Sequence, residues 1–368
     1  MSTKKDKFTK KDSYFMNLAF NLARERSGLT GENPSVGCVI VKNNEVISIG
    51  KTGINGRPHA EYNAIKSCRK NLKGSTIYSS LEPCTHFGKT PPCSKLIAKS
   101  KIKKVIFSII DIDERTKSKS INFFRTKKII VKRGLLKKDG KRIYKSYEFN
   151  RNKKLPFVTG KLAISKDNFI LSKKKSRITN KHSDKISHLL RYKNDSILIS
   201  SKTLNADNPR LNCRINGLSK HSPKRLILDR NLTIKKNCYI FASTQKANTI
   251  IFYNNGSKGK IKLLKNKGIK LVKLPINNNN LFDLNLVLKK IFSLGCRNIL
   301  VEGGKSLTNS FIKNNLFNEF YLFKSPNNLG INGKLNVLSQ LDQLKVKFKN
   351  KSKINSFTGN DIINIYSQ

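Results

Sequence analysis

Apolar residues recur at helical spacing in "SYFMNLAFNLARERSG", where Phe15, Leu18, Ala19, Leu22 and Ala23 share one face. Asp12 or Ser13 offers an N-cap and Gly28 a stop. "SVGCVIVKNNEVISIG" has a different rhythm, two apolar runs on either side of Asn43-Asn44, and predicts two strands joined by a turn. A helix over 59–69, a strand over 76–81, a helix over 92–99 and a strand over 104–110 follow. Strands alternating with helices in this way predict a three-layer α/β domain.

From 134 to 156 the chain reads "GLLKKDGKRIYKSYEFNRNKKLP", a charged, partly helical stretch closed by proline. A domain boundary belongs near 150–155. Beyond it, "FVTGKLAIS", "SILIS", "RLILD", "TIIFY", "IKLVKL", "NILVEGG" and "EFYLF" are strand-like. "HSDKISHLLRYK" and "LFDLNLVLKKIFSLG" are amphipathic helices, so a second α/β domain is expected. At 368 residues the chain is too long for one ordinary core. The expected division is a basic arm over 1–11, a first domain over 12–150 and a second over 155–368. "NNNN" at 277–280 is a short polar loop, and no internal repeat is evident.

Charge changes this picture less than its size suggests. Lys and Arg number 75 against 22 Asp and Glu, a formal charge of +53. Such an excess attracts polyanions. It is spread over the whole chain, however, without the one-faced stripe of a nucleic-acid footprint, so nucleic acid is not expected as a partner. Seven cysteines at spacings unlike a disulfide framework indicate a reducing compartment. No apolar stretch is long enough to span a bilayer, and no membrane association is expected. "MSTKKDKFTKKD" lacks an apolar signal core, which makes the cytoplasm the expected location.

The chemistry concentrates in "RPHAEYNAIKSC" and "SSLEPCTHFGKTPPCSKL". His59, Cys84 and Cys93 supply three zinc-type ligands, leaving one tetrahedral position open for water, as in a catalytic site. Zinc lowers the pKa of water, and Glu61, a carboxylate that does not ligate, can carry the proton to a departing amine. Residues i and i+2 of a helix face different ways. The arrangement still works if the short-reach His59 ligates directly and the longer Glu61 arm reaches round at the helix's first turn. H-x-E with P-C-x-x-C is the signature of zinc nucleobase deaminases. Here eight residues separate Cys84 from Cys93, not two. Cys38 and Cys68 are expected to be packing thiols.

"NPSVGCVIV", "HAE" and "LEPCTHFGKTPPC" together resemble the bifunctional riboflavin-biosynthesis deaminase-reductases, in which an H-x-G-K-T-P-P insertion displaces the second cysteine. The resemblance implies an N-terminal cytidine-deaminase-like three-layer α/β/α domain and a C-terminal dihydrofolate-reductase-like α/β domain. It implies one zinc ion per chain, NADPH and small phosphoribosyl pyrimidine substrates, and a homo-oligomer is expected. Deamination of diaminohydroxyphosphoribosylaminopyrimidine would precede NADPH reduction of 5-amino-6-(5-phosphoribosylamino)uracil. By the same resemblance Asn33, His86, Lys89 and Asp111 meet the deaminase substrate, His86 and Lys89 through its phosphate. The chain departs from the family at Thr52, at Asp113, and at Ser118 and Ser120, which replace glycines.

In the second half, "KLAISKD", "HLLRYKNDSILISSKTLNADNPRLNCR", "KRLILD" and "VEGG" fall in the family's order. Gly303-Gly304 would open backbone N–H groups at a helix start, which suits phosphate. The resemblance implies that Ala163, Thr203, Asp207, Gly304, Lys305, Ser306, Leu307, Thr308, Asn309 and Ser310 line NADPH. It places Arg191, Leu211, Arg214 and Glu302 at the substrate, with the arginines suited to forking onto a sugar phosphate. The family's S-L-D-G is "SKDN" at 165–168 and its S-x-W-I-T is "KSRIT" at 175–179. Two other readings compete: a deaminase carrying a non-catalytic reductase-like domain, and a nucleic-acid-editing deaminase.

Overall fold

The computed structural model describes residues 6–174, 177–242 and 248–367. Residues 1–5 of the expected basic arm, and Lys175 and Ser176 of "KSRIT", lie outside the described residues. The chain divides into two compact units after Lys154.

The first unit comprises α1 (Lys10–Glu25), β1 (Gly37–Lys42), β2 (Glu45–Lys51), α2 (Ala60–Ser67), β3 (Thr76–Leu81), α3 (Cys93–Lys99), β4 (Lys104–Ile109), α4 (Lys119–Thr126), β5 (Ile130–Arg133) and α5 (Lys137–Lys153). Helix α1 starts before the expected Asp12 or Ser13 cap, because Thr9 is the N-cap. Its side chain accepts from Asp12 N at 3.0 Å while Asp12 Oδ2 accepts from Thr9 N at 2.8 Å, a reciprocal capping box. The end of the supposed basic arm is therefore helical, and the helix finishes at Glu25, ahead of Gly28. Helix α5 runs through position 150 and belongs wholly to this unit.

The sheet order is β2-β1-β3-β4-β5. β1 is antiparallel to β2 and β3, while β3, β4 and β5 are parallel. Asn43 and Asn44 both take positive φ, 51° and 63°, which a two-residue hairpin of matching twist requires. Alternate residues of β1 enter different cores. Cys38 and Ile40 pack with Ala60, Ala64 and Ile97 of α2 and α3, whereas Val39 and Val41 pack with Phe15, Met16 and Phe20 of α1. Burial on both faces explains why the strand reads as a continuous apolar run.

The second unit comprises β6 (Phe157–Ile164), β7 (Phe169–Ser172), α6 (Lys181–Lys193), β8 (Ser196–Ser200), α7 (Ser201–Asp207), β9 (Lys224–Leu228), α8 (Tyr239–Ala242), β10 (Thr249–Tyr253), α9 (Lys258–Asn266), β11 (Lys270–Lys273), α10 (Leu284–Ser293), β12 (Asn298–Val301), α11 (Lys305–Lys313), β13 (Glu319–Lys324), β14 (Gly333–Asn336), α12 (Leu338–Lys347), β15 (Asn350–Ile354) and β16 (Ile362–Ser367). Its main sheet has the order β11-β10-β9-β8-β12-β6-β13-β16-β15. All neighbours from β11 to β13 are parallel, and the last two strands are antiparallel. Leu198, Leu226, Phe252 and Val301 face one core, and Ile197, Ile227, Ile251 and Leu300 face the other. A separate ribbon pairs β7 with β14.

Candidate active site

In the first unit, the close approach of α2 to β2 sets the positions of two chemical groups. A β-carbon at Gly50 would lie 2.2 Å from Ala60 O and 2.5 Å from Ala64 N, so only glycine lets the helix lie this close to the strand. His59 is the N-cap of α2, with extended backbone (φ −71°, ψ 159°), and Glu61 falls in the first turn. This resolves the i, i+2 difficulty: the histidine stands outside the helix.

Cys84 follows β3, and Cys93 opens α3 after its N-cap Pro92. Cys93 N donates to Cys84 Sγ at 3.3 Å. His59 Nδ1 lies 3.5 Å from Cys84 Sγ and 3.4 Å from Cys93 Sγ, and the three ligand atoms all lie within 4.8 Å of one another. Zinc bonds of ordinary length at the tetrahedral angle put N and S about 3.5 Å apart. The donor set and its spacing therefore fit zinc. The Cys93 hydrogen bond, with His59 next, holds the Cys84 thiol well below its usual range.

Glu61 is 4% exposed and accepts from Ser79 Oγ at 3.2 Å. Burial, followed by the charge of Cys84, raises its carboxyl above the usual range. A carboxyl so placed can take up and release a proton.

Asn33, Thr52, His86, Asp111 and Asp113 line the same cavity, which measures about 90 Å³. Asn33 Nδ2 donates to Gly56 O at 3.3 Å, and His86 Nδ1 lies 3.1 Å from Thr116 Oγ1. Tyr147 OH donates to Asp111 Oδ1 at 3.0 Å. Lys89 stands apart: it is exposed on the same loop and does not line the cavity.

Glu82, beside Cys84, is buried and escaped the sequence reading. Its carboxylate accepts from Asp111 N, Ser118 N, Ser120 N and Ser120 Oγ at 3.2, 3.0, 3.2 and 2.7 Å, tying the 111–120 loop to the end of β3. Glu82→Ala leaves those donors unpaired and should cost about 2–4 kcal/mol in urea denaturation. A loss under about 1 kcal/mol would mean that water replaces the carboxylate.

In the second unit, the strand ends of β8 and β12 and the starts of α7 and α11 surround a cavity of about 660 Å³. Ligands of parallel sheets collect at such strand ends. Ala163, Thr203, Asp207, Leu211 and Glu302 line it, as do Gly304, Lys305, Ser306, Leu307 and Asn309. Thr308 and Ser310 do not; their hydroxyls turn back onto Gly303 O and Ser306 O. Asn309 Oδ1 is buried without a hydrogen-bond partner, an acceptor left for a ligand donor.

Arg191 Nε and Nη2 donate to the two oxygens of Glu302 at 2.8 and 2.7 Å. Arg191 is thus committed to a carboxylate. Arg214 is exposed and donates to Asn212 Oδ1 at 3.1 Å. Neither arginine lines the cavity, so the expected fork of both onto one phosphate is not assembled here.

Comparison with known proteins assigns a family to each unit. The zinc-binding region of cytidine and deoxycytidylate deaminases matches residues 9–109, and the RibD C-terminal domain matches residues 156–359. The riboflavin biosynthesis protein RibD of Aquifex aeolicus is 32% identical over 96% of this chain and 97% of its own length. The chain belongs to the RibD family.

Its RibD relative from Bacillus amyloliquefaciens is 34% identical over 86% of this chain and 84% of its own length. The structure of Acinetobacter baumannii RibD superposes with a TM-score of 0.80 at 25% identity, covering 97% of this chain and 99% of that one. The Thermotoga maritima diaminohydroxyphosphoribosylaminopyrimidine deaminase/5-amino-6-(5-phosphoribosylamino)uracil reductase gives 0.80 at 28% identity, covering 97% and 98%. The architecture is accordingly that of RibD, a cytidine-deaminase-like unit followed by a dihydrofolate-reductase-like one.

Two of the positions where the chain departs from the family's glycines take left-handed backbone, while Ser120 lies inside α4. Ser118 takes φ 60° and Asn168, the last residue of "SKDN", takes φ 67°. Asp167 beside it accepts from Leu329 N at 3.1 Å and Gly330 N at 2.8 Å, fixing the turn without glycine. Thr52 Oγ1 accepts from Val36 N at 2.9 Å, a backbone duty. Lys161 also lines the second cavity and went unnoticed among the other cations of the sequence. Its signal was a lone lysine inside the apolar run "FVTGKLAI".

Proposed function

We propose that this chain catalyses two consecutive steps of riboflavin biosynthesis. The first unit deaminates diaminohydroxyphosphoribosylaminopyrimidine, and the second reduces the ribosyl chain of 5-amino-6-(5-phosphoribosylamino)uracil to ribityl. The observation that carries the first step is the clustering of His59, Cys84 and Cys93 beside a cavity that His59, Cys84 and the buried, non-ligating Glu61 line together. Zinc held by those three residues supplies Lewis-acid activation of water. Glu61 takes the proton that water gives up and returns it to the departing amine, and burial raises its carboxyl above the usual range. Asp111 and Asn33 orient the pyrimidine.

In the second unit, Gly304 and the α11 start, Thr203, Asp207 and the unpaired Asn309 Oδ1 hold NADPH, which supplies the hydride. Glu302, kept ionised by Arg191, hydrogen-bonds the substrate. Leu211, buried at positive φ, bounds the pocket. No helix among the described residues is long and apolar enough to cross a membrane. A cytoplasmic homo-oligomer acting on small phosphoribosyl pyrimidines completes the reading.

Purified protein with zinc should release ammonia from the pyrimidine, and adding NADPH should then consume one reductant per ammonia. Chelating zinc should abolish ammonia release yet spare NADPH oxidation on the pre-deaminated intermediate. No ammonia from the zinc-replete protein would end the deaminase reading. Ammonia without NADPH consumption would leave a deaminase with a non-catalytic second unit.

A further inference from the structure

Three guanidinium groups line the deaminase cavity, those of Arg57, Arg115 and Arg151. Two are already matched to an acid. Arg115 donates to Asp113 through Nε at 2.9 Å and Nη2 at 2.6 Å, and Arg151 Nη2 lies 3.1 Å from the same carboxylate. Burial opposes ionisation of Asp113, but these cations, Arg115 foremost, hold its carboxyl well below the usual range.

Arg57 differs. Among the described residues no carboxylate lies within ion-pair distance of it. Its recorded hydrogen bond runs from Nη1 to Thr90 Oγ1 at 2.5 Å, which uses one of five guanidinium donors on a neutral hydroxyl. Nη2 lies close against Gly88, where an added β-carbon would come within 3.1 Å. The side chain is half-buried and crosses to the 84–93 loop that carries both cysteines. A cation withdrawn from water and lacking a counter-charge is costly unless a ligand supplies the anion.

The geometry points to Arg57 as the residue that receives the phosphate of the deaminase substrate and so selects the phosphorylated pyrimidine over its riboside. This rests on the deaminase reading above. The phosphate is the formally anionic part of that substrate, and a planar guanidinium fork matches two phosphate oxygens where an ammonium offers a point charge. Thr90 holds the fork from one side and leaves the remaining donors for the ligand. Gly88 keeps space beside Nη2 that a side chain would close. Lys89, the cation expected to do this from the sequence, lies on the same loop but outside the cavity lining.

The test compares wild type, Arg57→Ala and Arg57→Lys, each checked for zinc content and thermal unfolding, on the phosphorylated pyrimidine and on its dephosphorylated riboside. A charge-assisted contact of this kind should make the kcat/KM ratio between the two compounds fall by about tenfold or more in Arg57→Ala. The loss should sit mainly in KM for the phosphorylated compound, with part of the ratio restored in Arg57→Lys. A zinc-replete Arg57→Ala that keeps the wild-type ratio overturns the assignment, even if both activities drop together, because that pattern belongs to a structural link between Arg57 and Thr90. Wild type that deaminates neither compound overturns the deaminase reading itself and this inference with it.

Discussion

Replacing Glu61 with glutamine is expected to leave zinc in place and to cut ammonia release by about 10³-fold, within the range that positioned acid–base groups contribute. The substitution preserves shape. Glutamine keeps an oxygen for the Ser79 hydroxyl that now donates to Glu61 Oε1, and it removes only the capacity to hold a proton. Zinc should stay because the ligand cluster is His59, Cys84 and Cys93, with no oxygen from Glu61 among its atoms. Metal analysis alongside an ammonia assay separates the two effects. If zinc is lost with activity, Glu61 is a ligand or a structural prop. Activity within about tenfold of wild type would assign the proton transfer to another group.

The metal centre was legible because backbone punctuation fixes each of its ligands. Pro58 precedes His59, Pro83 precedes Cys84, and Pro92 caps the helix that Cys93 opens. Where a residue's role depends on tertiary direction, the sequence carried less. Lys89 was the cation the motif brought forward, yet it is Arg57 that lines the cavity. Glu82 is invisible as a linchpin until the 111–120 loop folds back onto it.

At two positions where the family has glycine, Ser118 and Asn168 take the left-handed backbone, which asparagine reaches more readily than most residues. In the second unit, the buried strands announced themselves through apolar runs. The edge strand β15, "NKSKI", is mostly exposed and polar, so its pairing to β16 left no hydrophobic pattern to read.

Glu302→Ala should be the most damaging single change in the second unit, because it removes a cavity carboxylate and strands a buried guanidinium. Arg191 and Glu302 are each 13% exposed at the side chain and joined by two hydrogen bonds. Breaking such a pair from one side costs about 3–5 kcal/mol, since the remaining charge stays desolvated. Glu302→Gln is the informative companion: it keeps the side-chain volume and one acceptor for Arg191, and should lose NADPH oxidation with a smaller loss of stability.

Acid titration then tests the pair itself. Burial pushes the Glu302 carboxyl upward, but the adjoining Arg191 guanidinium overrides it and holds the group at about 2, against an ordinary value of 4.5. A depressed carboxyl pKa adds stability that is complete above its unfolded value and is lost as pH falls toward the folded one. The unfolding free-energy gap between wild type and Glu302→Gln should therefore be constant above pH 4.5 and narrow between 4.5 and about 2. A gap that does not narrow in that window would show that the pair contributes no charge-dependent stability. Wild-type NADPH turnover in Glu302→Gln would remove Glu302 from the substrate site whatever the stability data say.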